Sequence, residues 1–214
     1  MRTYINNIDW FTSDLHVFHK NIIKYCNRPF KDIPDMHYVL IDNWNRVVQP
    51  KDRVLILGDF GFCGVASGKA ILDKLNGYKI LVLGNHDKNA GVAKRMGFDE
   101  VHQGVVMVSL FSQVYDDIKT VYACHFPKHP TLWTKIKHWF RSRKVRNKFF
   151  QRDKHWYRFP KISEKAWLVC GHSHEKGPRV NYKRKMVNVG VDQWAFKPVS
   201  VEELYEAMFK VKPN

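Results

Sequence analysis

Lys79-Ile80-Leu81-Val82-Leu83, followed at once by Gly84-Asn85-His86-Asp87, decides how this chain reads. A short apolar, partly β-branched run stopped by glycine is the mark of a strand buried on both faces, and here the polar residues begin where the strand ends. The same junction recurs on either side. Ile8 to Thr12 runs into Asp14-Leu15-His16, Val54 to Leu57 into Gly58-Asp59, Thr120 to Cys124 into His125, and Ala166 to Cys170 into Gly171-His172-Ser173-His174. Val105 to Val108 and Met186 to Val189 read as further strands. Between them lie helical patterns: Pro34 to Val48, with Met36, Val39, Leu40, Trp44 and Val47 on one stripe, and Gly64 to Leu75 ahead of Gly77. Strands interleaved with helices imply an α/β layered domain. Because sites in such sheets gather at the carboxyl ends of strands, five separated segments are expected to converge on one site.

The bulk properties narrow the class. With 214 residues, 44% apolar and 14% aromatic, the chain is expected to form one packed domain over 1–214. No apolar run is long enough to span a bilayer, and MRTYINNIDW lacks the apolar centre of a signal peptide, so an intracellular, cytoplasmic protein is expected. Cys26, Cys63, Cys124 and Cys170 form no CxxC pair, which argues against a disulfide framework or a thiolate zinc site. The net charge of +16 is unevenly spread: Lys128 to Lys161 holds twelve of the 36 Lys and Arg residues and one acid, Asp153. That segment also carries Trp133, Trp139, Phe140, Phe149, Phe150, Trp156, Tyr157 and Phe159. Cations that follow a phosphate backbone and rings that stack unpaired bases suit single-stranded nucleic acid. A helical flap with its aromatic side buried, or a surface for an anionic membrane or other acidic partner, fits the same composition.

DLH, GD, GNHD, a lone His after a strand and GHSH, in that order, resemble the calcineurin-like metallophosphoesterase superfamily over nearly the whole chain. Asn188-Val189-Gly190-Val191-Asp192 with Pro198-Val199-Ser200 resembles the closing pattern of its small bacterial and phage members. The resemblance implies the layered metallophosphoesterase fold, with central β-sheets in a sandwich flanked by helices. It also implies two divalent metal ions, manganese first, with iron, zinc, nickel or magnesium as alternatives. Asp14, His16 and His174 would hold one and Asn85, His125 and His172 the other, with Asp59 bridging. Carboxylate, imidazole and amide donors suit such ions. Two cations about 3.5–4 Å apart acidify a shared water and clamp phosphoryl oxygens during in-line attack. His86 matches the family histidine that contacts the substrate phosphate and protonates the leaving oxygen.

The protein phosphatases of the family carry GDxVDRG, whereas this chain has Gly58-Asp59-Phe60-Gly61-Phe62-Cys63-Gly64, with Phe62 and Cys63 where the phosphatases have Asp and Arg. The expected activity is therefore phosphoester hydrolysis with a phosphodiester favoured: a nucleotide, cyclic nucleotide or nucleic-acid end. A phosphomonoesterase and a noncatalytic nucleic-acid-binding module on the same scaffold are the alternatives. His19 and Arg28, in HVFHKNIIKYCNRPF, resemble the small phage and bacterial branch and are candidate substrate-binding residues. Arg28 offers a fork for phosphate, or else forms an ordinary surface salt bridge; His19 contacts substrate or simply packs.

Overall fold

The computed structural model describes residues 3–129, 158–174 and 177–210. Its strands are β1 (Tyr4–Ile5), β2 (Trp10–Thr12), β3 (Arg53–Ile56), β4 (Tyr78–Val82), β5 (Glu100–His102), β6 (Val106–Ser112), β7 (Asp117–Ala123), β8 (Leu168–Cys170), β9 (Val180–Asn181), β10 (Met186–Asn188) and β11 (Val199–Ser200). Helices α1 (Lys20–Tyr25), α2 (Ile33–Val47), α3 (Val65–Leu72), α4 (Ala90–Met96) and α5 (Val201–Phe209) complete the described elements, with one 3-10 turn at Val191–Gln193. The strands form two mixed sheets: six in the order β1-β6-β7-β8-β10-β9, and five in the order β11-β2-β3-β4-β5.

The periodicity of β3 shows why the layers stack as they do. All of Val54, Leu55, Ile56 and Leu57 are buried, but Leu55 and Leu57 join the core between the sheets, whereas Val54 and Ile56 join the core beneath the helices. The inter-sheet core adds Phe11, Ile80 and Val82 from one sheet and Val106, Val108, Val121, Val169 and Val187 from the other. On the outer face Met36, Leu40 and Trp44 of α2 pack with Ile71, Leu72 and Met96. Burying a Leu, Ile or Phe is worth about 1.5–3 kcal/mol. A slip of one residue in β3 would exchange its two cores, so its register is fixed.

Helix boundaries follow local chemistry. The Asp32 side chain accepts from Asp35 N to start α2, which has a proline in its first turn. Ser200 and Glu203 form a capping box at α5.

The expected strands are all present, several extended or trimmed by one to four residues, because pairing with neighbours rather than composition sets where a strand stops. Four strands lay outside the sequence reading: β1, β5, β9 and β11, each two or three residues long. Most of the basic segment, residues 130–157, lies outside the described residues. At its flank, Lys128 is held inside the protein. It is 1% exposed, and its ammonium donates to the carbonyls of Ser163 and Ala166 at 2.8 Å each, which leaves it shielded from any nucleic acid.

Candidate metal centre

The parallel strands β2, β3 and β4 end side by side, and the loops that leave them are stitched together by backbone hydrogen bonds. Asp14 N donates to Gly58 O at 3.1 Å and His16 N to Asp59 O at 3.0 Å. Asp87 fastens the next pair of loops, accepting from Gly84 N at 2.7 Å, Asp59 N at 2.9 Å and Phe60 N at 3.1 Å. From the second sheet, β7 delivers His125 and β8 delivers His172 and His174. Approach is so close that side chains are excluded at the glycines between. A Cβ on Gly84 would lie 2.3 Å from Asp59 Oδ1, and one on Gly171 would lie 2.4 Å from Asp14 Oδ2. Asp14, His16, Asp59, His172 and His174 all adopt left-handed backbone, with φ between 47° and 70°. Such residues cost about 1–3 kcal/mol each and persist where the surroundings hold them.

Two of the three groups of donor atoms among the described residues lie at these strand ends, the third being Cys26 with His174 and Asp192. In one, an atom each from Asp14, His16 and His174 lie within 4.8 Å of one another; in the other, atoms from Asp59, His125 and His172 do so. Asp59 stands between them: its Oδ2 is 3.6 Å from His16 Nε2 and 3.4 Å from His125 Nε2. Asn85 Oδ1 lies 2.9 Å from His125 Nε2. All seven expected ligands therefore meet at one place.

The chemistry of these atoms fits cations. Asp14 Oδ1 and His16 Nε2 are buried without a hydrogen-bond partner, which is costly unless something positive satisfies them. His125 Nδ1, 2.8 Å from Leu57 O, must donate to that carbonyl, so its Nε2 presents a lone pair to Asp59 Oδ2 and Asn85 Oδ1. Convergent lone pairs attract a positive ion. Burial holds the imidazoles of His16 and His125 below their ordinary range, and hence neutral and able to ligate. Burial, with the carboxylates of Asp14 and Asp87, pushes Asp59 well above the usual carboxylate range, a penalty that a bridging cation would remove.

His174 is the exception. Burial alone would lower it, but its Nδ1 lies 2.7 Å from Asp192 Oδ2, and that carboxylate with Asp14 raises the imidazole to about 10. A carboxylate behind a ligand histidine fixes its ring orientation and increases its basicity. The sequence reading quoted Asp192 without a role; the only signal was its place in the closing motif.

Arg28 is corrected. It is 4% exposed, and its five N–H donors are all engaged: two on Asp192 at 2.8 and 3.0 Å, one on the carbonyl of Asp14 at 2.7 Å, one on that of Leu15 at 2.9 Å and one on Met36 Sδ at 3.5 Å. No fork remains for phosphate; Arg28 braces the loop carrying Asp14 and the carboxylate behind His174. His19 stands beside the centre, its Nδ1 3.3 Å from His16 Nδ1 and its ring 4.3 Å from that of Phe62. His86 is the open member: its side chain is 36% exposed, with Nε2 3.9 Å from Asp59 Oδ2, and its backbone N–H donates to Asp59 Oδ1 at 2.9 Å.

With two mixed sheets and an Asp, His and Asn cluster at their strand ends, the chain belongs to the calcineurin-like phosphoesterase family, whose sequence model matches residues 10–176. It is 29% identical over 209 residues to an uncharacterised protein of Methanocaldococcus jannaschii, covering 95% of this chain and 92% of that one. The Gene 66 protein of Mycobacterium phage L5 is 27% identical over 212 residues, with 92% of each covered. Among solved structures, a protein of unknown function from Aquifex aeolicus matches 95% of this chain and 99% of its own length, with a TM-score of 0.62 and 26% identity. No helix among the described residues is long and apolar enough to cross a membrane.

Proposed function

We propose that this protein is a two-metal phosphoesterase acting by preference on phosphodiesters. The observation that carries the reading is Asp59 Oδ2, placed between a pair of buried, unpartnered donors on one side and the His125 lone pair on the other. Asp14, His16 and His174 would hold one cation, Asn85, His125 and His172 the second, and Asp59 both; manganese is favoured. Bound there, the pair would supply an acidified water and positive charge against the phosphoryl oxygens.

The remaining work belongs to the chain. Ser13 Oγ, 2.7 Å from Asp14 Oδ2, and His172 N, which donates to the same oxygen at 2.9 Å, orient Asp14. Arg28 and Asp192 orient His174. His86, at the exposed rim, would meet the phosphoryl group and pass a proton to the leaving oxygen. Preference for diesters rests on Arg28: with its guanidinium consumed inside, the strongest local candidate for binding a monoester dianion is absent, and a diester monoanion needs less positive charge.

The test is hydrolysis of bis-p-nitrophenyl phosphate against p-nitrophenyl phosphate by metal-stripped protein supplied with Mn, Ni, Zn or Mg. Metal-dependent cleavage, faster on the diester and lost in Asp59→Asn, is expected. Silence with every metal and both esters would overturn the reading in favour of a binding module.

A further inference from the structure

Beside His86 the loop after β3 and helix α4 leave a cavity of about 340 Å³ that the proposed chemistry does not use. Its depth is apolar, with Phe60, Leu81, Ala93, Met96 and Phe98 all buried, and the exposed residues His86 and Lys88 and the 47%-exposed ring of Phe62 mark its open side. The Phe62 ring lies 4.5 Å from that of His86 and 4.3 Å from that of His19, and His19 in turn lies 6.2 Å from the exposed ring of Tyr25. Phe62, His19 and His86 therefore form a cluster of three rings next to Asp59, His19 and His86 being 6.2 Å apart, with Tyr25 beyond His19. Exposed rings are common on protein surfaces, Tyr25 and Tyr38 here among them, but Phe62 is packed against His16, His19 and His86 beside the centre.

We propose that Phe62, with the flanking imidazoles of His19 and His86 and the apolar cavity behind it, forms a subsite for a nucleobase carried by the phosphate ester. The class follows from the walls. The surface offers ring faces, which stack on any base, and the depth is apolar, which suits an uncharged heteroaromatic ring better than a bare sugar or a second phosphate. The cavity volume accommodates one base with room for part of its sugar. Phe62 thus determines specificity and touches no reacting atom. This inference rests on the phosphoesterase reading for where the phosphate sits, but its test is separable.

The experiment measures equilibrium binding of adenosine monophosphate and of ribose 5-phosphate to the full-length protein, by calorimetry, alongside cleavage of bis-p-nitrophenyl phosphate. Adenosine monophosphate is expected to bind about tenfold more tightly, a modest share of what one base stacked on an aromatic side chain supplies. Phe62→Ala should abolish that difference, and Phe62→Trp should keep it, which separates loss of stacking from loss of structure. Equal binding of the two ligands by the wild type, or a base preference that survives in Phe62→Ala, overturns the subsite. Either result beside intact metal-dependent cleavage leaves the phosphoesterase reading standing; base preference without cleavage under any metal supports the subsite and removes the chemistry.

Discussion

The two halves of the centre are held in different ways. Around Asp14, His16 and His174 the supports are charged and hydrogen-bonded: Ser13 on Asp14, Asp192 on His174, and Arg28 on Asp192 and on the backbone of Asp14. Among the described contacts, those around His125 and His172 are mostly rings. Phe126 lies 4.9 Å from each imidazole and Phe159 lies 5.8 Å from His172, with the Leu57 carbonyl as the polar anchor of His125. Hydrogen bonds fix the tautomer and charge of a ligand as well as its place; packing fixes place alone. The first half should therefore bind its cation more tightly, and the second should exchange more readily.

The most severe way to break this comparison is to remove what the halves share. Asp59→Asn should reduce metal-dependent hydrolysis by about a thousandfold or more, well beyond the 10–100-fold typical of losing a residue behind a ligand, and manganese calorimetry should show both binding steps weakened. If only one step weakens, the bridge is misassigned.

Next is Arg28→Ala, which leaves Asp192 with His174 alone as a charged partner among the described residues and strips the buried carbonyls of Asp14 and Leu15 of their donor. Urea unfolding of the metal-free protein should show a loss of about 3 kcal/mol. A loss below about 1 kcal/mol would mean that the brace is ornamental. Asp192→Asn, a gentler change to the same support, should weaken only the tighter manganese step, by about 10–100-fold.

The same variant sharpens the comparison through pH. In the metal-free protein the His174 imidazole has a folded-state value, about 10, above its unfolded value near 6.5. Its contribution is therefore fully present below about 6.5 and is lost as pH rises through about 10. The stability difference between wild type and Asp192→Asn should be flat below that window and shrink across it. Smallest of all, Phe126→Leu should weaken only the looser manganese step, by less than about tenfold, since a packing support is replaced by another apolar group.

These two kinds of support also explain what could be read from the sequence. The ligands were legible because each sits within a few residues of a strand end, so that a local motif such as Gly84-Asn85-His86-Asp87 carries both the strand stop and the chemistry. The supports were not. Arg28 and Asp192 are 164 residues apart, and nothing local distinguishes a buried, fully engaged arginine from one that awaits a phosphate. Asp87 was hidden for the same reason, since the amides of Asp59 and Phe60 reach it only on folding; Ser13 adjoins Asp14 in the chain, but nothing local shows its hydroxyl turned onto that carboxylate. The short strands β1, β5, β9 and β11 have too few residues to show a period, and their pairing is imposed by longer neighbours.

The left-handed backbone at five of the seven proposed ligands carries a further consequence for how such a chain can change over generations. At these positions glycine alone would rest easily, so a substitution to glycine discards a ligand and recovers conformational energy in one step. Decay of the centre is then partly downhill, and copies freed from selection would lose it early while keeping the fold.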